Sequence, residues 1–144
     1  MILIVISDQT QMEYTIGNKL GEGAYAWVYE CSDFFNQRLV AKVQKPQRAK
    51  KTVEDDWKKE QSFMQTVNHP NVITLYDTFV YNNLYFYILE RADGTLRNHI
   101  PASGGGMAME LVLELVPQIL SGLTHIHQKR IVHRDLQVRD DLSQ

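Results

Sequence analysis

"EYTIGNKLGEGAYAWVYE" occupies positions 13–30, and the rest of the chain is read according to how this stretch folds. Tyr14, Ile16 and Leu20 fall on one face of a period-two pattern. Glycines follow at Gly21 and Gly23, and Trp27, Val28 and Tyr29 resume an apolar run. The pattern predicts strand, tight turn, strand. A glycine-rich turn lets backbone N–H groups approach phosphate oxygens with no Cβ in the way. Taken alone, such a turn is an ordinary hairpin, and its neighbours must give it meaning.

Downstream, "QRLVAKV" at 37–43 reads as a third strand. From Val53 the apolar period changes: Val53, Trp57, Met64 and Val67 fit steps of three and four, which predicts an amphipathic helix. "HPN" at 69–71 ends it, because Pro70 disfavours helical geometry at His69. Strands follow at 72–81 and 84–90, joined by Asn82 and Asn83, which tolerate the positive φ of a two-residue hairpin turn. Beyond the linker-like "ASGGG" at 102–106, Val112, Val116, Ile119, Leu123 and Ile126 form a helical stripe within 108–129. Pro117 inside it predicts a kink or a late helix start. The N-terminal "MILIVIS" reads as one more strand; it is too short to span a bilayer and lacks the basic lead and cleavage site of a signal peptide. Strands with one inserted helix, then mainly helix, give an α+β class with an antiparallel sheet packed on a helix.

The 144 residues suffice for one core or for two small lobes that share one. Hydrophobic residues at 44% and charged residues at 22% are ordinary globular values, which argues against disorder. A net charge of −2 predicts no general affinity for nucleic acid or acidic membranes. The single Cys31 excludes an internal disulfide and fits a reducing, cytoplasmic interior.

Two charges stand where apolar residues are expected. Lys42 interrupts "LVAKV", and an unpartnered buried ammonium is costly. On the helix, Glu60 shares the face of Trp57 and Met64. The simplest arrangement pairs Lys42 with Glu60 across the sheet–helix interface. In the alternative, Lys42 snorkels at a strand end and Glu60 edges the stripe. The glycine loop favours the pair: it joins two strands and precedes a lysine strand, whereas in a dinucleotide-binding fold it would open a helix.

Several ordered segments resemble a eukaryotic-type protein kinase domain, from about Tyr14 to Asp140. "GEGAYAWV" at 21–28 fits G-x-G-x-x-G-x-V with Ala26 in place of the third glycine. "NHPNVITLYD" (68–77), "YFYILERADGTL" (85–96) and "ILSGLTHIHQKRIVHRDL" (119–136) resemble the segment after the first helix, the hinge, and the long helix entering the catalytic loop. The resemblance implies a five-stranded N-lobe with its helix over 14–91 and a hinge with a partial helical C-lobe over 92–144. An extension, 1–13, precedes them. It further implies ATP bound by Gly21, Gly23, Ala24 and Val28, with Lys42 on the phosphates and Glu60 holding Lys42. Val40 would lie over the adenine, Leu89 would be the gatekeeper, and the backbone of Glu90 and Ala92 would bond the adenine edge. Asp135 would accept the substrate hydroxyl's proton, with His133 and Arg134 structural. Asp140 would ligate Mg²⁺ where an Asn is usual.

The sequence departs from the family pattern at named places. Val40 is bulkier than the usual Ala, Gln137 and Val138 replace Lys-Pro, and the 144 residues contain no D-F-G or A-P-E. The expectation is a Ser/Thr-type kinase domain that transfers the ATP γ-phosphate to a protein substrate, incomplete here and inactive as an isolated chain. A pseudokinase-like nucleotide-binding or interaction module, or a non-functional gene fragment, is the alternative. Helix 108–129 is apolar around much of its circumference (Met109, Leu111, Leu113, Leu115, Leu120), which predicts a covering partner or aggregation. His125, His127 and His133 suggest a metal cluster, but histidines two apart on a helix point in different directions and the resemblance implies a packing position for His127, so metal binding is not expected. The basic run "KPQRAKK" at 45–51 is expected to solvate its loop.

Overall fold

In the computed structural model, residues 3–46, 50–101 and 105–132 are described. Six antiparallel strands form one sheet: β1 (Leu3–Ile6), β2 (Glu13–Glu22), β3 (Ala26–Asp33), β4 (Arg38–Gln44), β5 (Leu75–Tyr81) and β6 (Leu84–Glu90), in the order β1-β2-β3-β4-β6-β5. Helix α1 (Lys50–Thr66) lies between β4 and β5, and a 3₁₀ turn (Leu96–His99) and helix α2 (Met109–Gln128) follow β6. The class is α+β, and the strand of the N-terminal extension joins the expected five on the free edge of β2.

β4 shows how the sequence builds two faces. Leu39, Ala41 and Val43 are buried, while Val40, Lys42 and Gln44 alternate with them and are half-buried on the other side. The first face closes a core in which Tyr14 of β2 stacks on Phe79 of β5 at 5.7 Å, and Phe79 on Phe86 at 5.1 Å. Three strands separate β2 from β5 in the sheet order, so this stacking requires the sheet to curl. On the second face Trp57 of α1 packs against Tyr85 and Tyr87, flanked by Leu75, Val80 and Leu89.

The hairpin between β5 and β6 turns as its residues dictate, with φ of 49° at Asn82 and 62° at Asn83. Three details differ from the sequence pattern. Leu20 is exposed although Tyr14 and Ile16 are buried, because register shifts on either side of Lys19 break the alternation along β2. β5 begins at Leu75, since the Val72 N–H closes a turn onto the His69 carbonyl at 3.0 Å. α2 runs unbroken from Met109 through Pro117, so the late start does not occur; the exposed proline forfeits one intrahelical bond.

The 69–72 turn fastens α2 to the rest. Asn71 Nδ2 donates to Gln118 Oε1 at 3.2 Å, and the His69 ring lies 3.2 Å from Ser121 Oγ and 5.0 Å from the His125 ring. His125 holds the inward position, and His127, expected to pack, is exposed. The apolar circumference of α2 is open to solvent at Leu113 (68%) and Met109 (65%). Among the described residues, no helix is long and apolar enough to cross a membrane.

Candidate functional site

Directly paired residues in a sheet project from the same face, so the ladder register lays out the site. Gly21 pairs with Val28, Val28 with Lys42, and Lys42 with Tyr87. One step along, Glu30 pairs with Val40 and Val40 with Leu89. The glycine loop, Lys42, Val40 and Leu89 therefore share one face, the face on which α1 packs.

Lys42 Nζ donates to Glu60 Oε1 at 2.8 Å, and both side chains keep about a third of their surface exposed (34% and 35%). The pair is anchored and still reachable. The ammonium also sits 5.2 Å from the centroid of the buried Tyr87 ring, a cation–π contact. Gln44 Nε2 holds that ring in place through its hydroxyl at 2.7 Å. A lysine restrained this way loses little side-chain freedom when it meets an anion.

The loop above is a tight turn. The Gly23 N–H donates to the Ala26 carbonyl at 2.8 Å, so it closes the turn, and phosphate contact must come from other amides. Ala26, at the usual third glycine, is buried at the start of β3, where a methyl is accommodated. Ala24 is exposed at the tip. Lys45, expected to be solvated, has a side chain only 9% exposed. It pairs with Glu22, which Lys19 also contacts, and lies 5.7 Å from the Trp27 ring.

At the other end, Glu90 is tied twice to Thr74. Its N–H donates to the Thr74 carbonyl at 2.9 Å, and its carboxylate accepts the Thr74 N–H at 3.1 Å. The next residue, Arg91, reaches Glu30 at 3.4 Å, and Asn18 donates to the same carboxylate at 3.2 Å. These bonds brace the segment leading to the exposed Ala92.

A site fit for a nucleotide needs an apolar slot for the base and a fixed cation for the phosphates. Val28, Val40 and Leu89 are apolar side chains on the same face as Lys42, the anchored cation. His133, Arg134, Asp135, Gln137, Val138 and the Mg²⁺ candidate Asp140 lie outside the described residues. Among the described residues, no three His, Cys, Asp or Glu side chains come together as a metal-binding group.

Sequence reasoning missed Asp77. Its carboxylate, 7% exposed, accepts from Thr10 Oγ1 at 2.6 Å, from Tyr14 Oη at 3.1 Å and from the Thr78 N–H at 2.8 Å. Burial first, then the Asp77 charge, pushes the Tyr14 phenol well above its usual range. Only the partners reveal the site, and two of them come from residues more than 60 positions earlier.

Comparison with known proteins gives the family. The family model described as protein kinase domain matches residues 14–139. The chain is 32% identical over 118 residues to cell division control protein 2 homolog 3 of Trypanosoma brucei brucei, covering 81% of this chain and 38% of that protein. It is 29% identical over 119 residues to cyclin-dependent kinase 17 of Caenorhabditis elegans (83% and 18%). To serine/threonine-protein kinase PrkC of Bacillus subtilis it is 30% identical over 144 residues (92% and 21%). The chain thus spans less than half the length of each relative. With the glycine loop, the anchored lysine and its helix carboxylate on one face of the curled sheet, and 126 of its residues within the matched range 14–139, the chain belongs to the protein kinase domain family.

Proposed function

We propose that these residues bind ATP and belong to a kinase domain that transfers its γ-phosphate to a serine or threonine hydroxyl of a protein. The Lys42–Glu60 bond at 2.8 Å carries the reading. Phosphoryl transfer depends on positioning and on charge already in place, and a lysine held by a helix carboxylate supplies both at the α- and β-phosphates. The loop of Gly21, Gly23, Ala24 and Val28 covers the phosphates. Val40 and Leu89 enclose the adenine, and the backbone of Glu90 and Ala92 bonds its edge. Asp135 orients the acceptor hydroxyl and takes its proton, and Asp140 would help hold Mg²⁺, which would supply positive charge against the phosphates. Residues 14–91 form the N-lobe and 92–144 the hinge and first part of the C-lobe. The Ser/Thr acceptor is taken from the similarity to serine/threonine-protein kinase PrkC of Bacillus subtilis.

ATP at millimolar concentration is expected to raise the melting temperature of the chain, with Lys42→Met losing most of the shift. Equal shifts in both would overturn the phosphate role of Lys42. A second reading, a kinase-like module that works through a protein partner, is favoured by the open apolar face of α2 at Met109, Leu113, Val116 and Leu120.

A further inference from the structure

Residues 3–12 precede the stretch that matches the kinase model, yet they are built into the sheet. β1 pairs with β2 from Leu3 opposite Ile16 to Ile6 opposite Glu13, and Val5 and Ser7 are fully buried. The turn that follows is closed by Ser7, whose N–H donates to the Met12 carbonyl at 2.9 Å and whose carbonyl accepts the Gln11 N–H at 3.0 Å. This turn presents Thr10 to Asp77 of β5.

From Asp77 a chain of short bonds reaches the candidate active site. The Thr10 hydroxyl donates to Asp77 Oδ2 at 2.6 Å, and the Thr78 N–H donates to Asp77 Oδ1 at 2.8 Å. Gln61 Nε2 donates to the Thr78 hydroxyl at 2.6 Å. Gln61 follows Glu60 on α1, and Glu60 accepts from Lys42. A polar cavity of about 200 Å³, lined by Gln9, Thr10, Gln61, Gln65 and Asp77 among others, places the extension and α1 on the same recess.

α1 needs such help. Among its described side chains only Trp57 is buried, so its position rests on that ring, the Lys42 bond and the Gln61 bond. A buried carboxylate is in turn demanding: its bonds are charge-assisted, and losing one leaves a desolvated oxygen short of donors.

We infer that the N-terminal segment is an internal brace for α1, with Asp77 as its joint and Thr10 and Gln61 as positioning residues that set where Glu60 meets Lys42. The brace needs no external partner, because strand, turn and joint belong to this chain. Its consequence for nucleotide affinity rests on the ATP-binding reading; its effect on α1 does not.

Amide hydrogen exchange on the full chain without nucleotide tests the brace. Thr10→Val is expected to speed exchange in α1 from Trp57 to Thr66 by about tenfold, the loss of one charge-assisted bond, and to leave β3 and β4 unchanged. Thr10→Ser restores the wild-type rates. Gln61→Leu cuts the link beyond the joint and is expected to loosen α1 with β1 still protected. The ATP dissociation constant of Thr10→Val is expected to rise between threefold and tenfold, roughly the same loosening. If Thr10→Val loosens β1 while α1 keeps its protection, or if neither changes, the brace is refuted. If wild type fails to bind ATP, the proposed function falls and the exchange result still decides the brace.

Discussion

Lys45, 9% exposed, requires an anion within reach, and it finds Glu22. Its backbone N–H also donates to the Tyr25 carbonyl at 2.9 Å, so one residue ties the glycine loop at two points. Glu22 pairs with Trp27 and Trp27 with Val43, a row on the face opposite Lys42, so this latch holds the loop from behind. Hydrogen bonds from Lys19 and then Lys45 lower the Glu22 carboxyl from 4.5 to about 2. A lowered folded-state pKa means the latch contributes above the ordinary carboxylate value and is lost as pH falls toward about 2. The Gly23 amide resonance is therefore expected to stay constant from neutral pH to the ordinary carboxylate range and to move only below it. In Glu22→Gln it is displaced at every pH. A Gly23 titration in the ordinary carboxylate range would show that the latch is absent. Sequence alone did not reveal it, because "KPQRAKK" reads as a solvated run and the burial of Lys45 depends on a strand that precedes it. Lys42 and Glu60 were legible for the opposite reason: a charge inside an apolar alternation and a carboxylate on an apolar helix face each demand a partner.

At the scale of elements, α2 depends on a glycine. A helix-interior Gly→Ala change normally stabilises by about 1 kcal/mol. At Gly122, however, an added Cβ would stand 2.7 Å from the Asn71 carbonyl oxygen, and backbone cannot yield as a long side chain would. Gly122→Ala is expected to lower the melting temperature by several degrees, about 1–3 kcal/mol of overpacking strain, with far-UV helicity retained. A rise in melting temperature would show that the 69–72 turn does not press on α2. The existence and type of the six strands and two long helices followed from periodicity and turn chemistry, as the Asn82–Asn83 turn illustrates. Parity along β2 did not, because bulges around Lys19 leave no mark in composition and expose Leu20. Choosing between His125 and His127 required the position of the 69–72 turn, which contacts the first.

For the molecule as a whole, the packing predicts two tiers of stability. The curled sheet is sealed by aromatic stacks and by the Asp77 joint, with the buried Cys31 inside it. α2 is held by polar contacts from the 69–72 turn and borders an apolar cavity of about 450 Å³ lined by Phe63, Val72, Ile119, Leu123, Ile126 and Ile131, among others. Apolar surface left unburied along that opening adds nothing to holding α2, so α2 should release before the sheet opens. The two events can be read separately. Burial, and secondarily Asp33, pushes the Cys31 thiol up to about 12, so at neutral pH it is protonated and shielded, and alkylation requires the sheet to open. In a urea series, α2 amides are expected to lose protection at concentrations where Cys31 still resists alkylation, with thiol labelling following at the main transition. Coincident midpoints would mean that the 69–72 turn couples the two parts into one cooperative unit. Separate midpoints would leave the Lys42–Glu60 pair with the sheet, intact while α2 is loose, and ATP should then protect Cys31 more than the α2 amides.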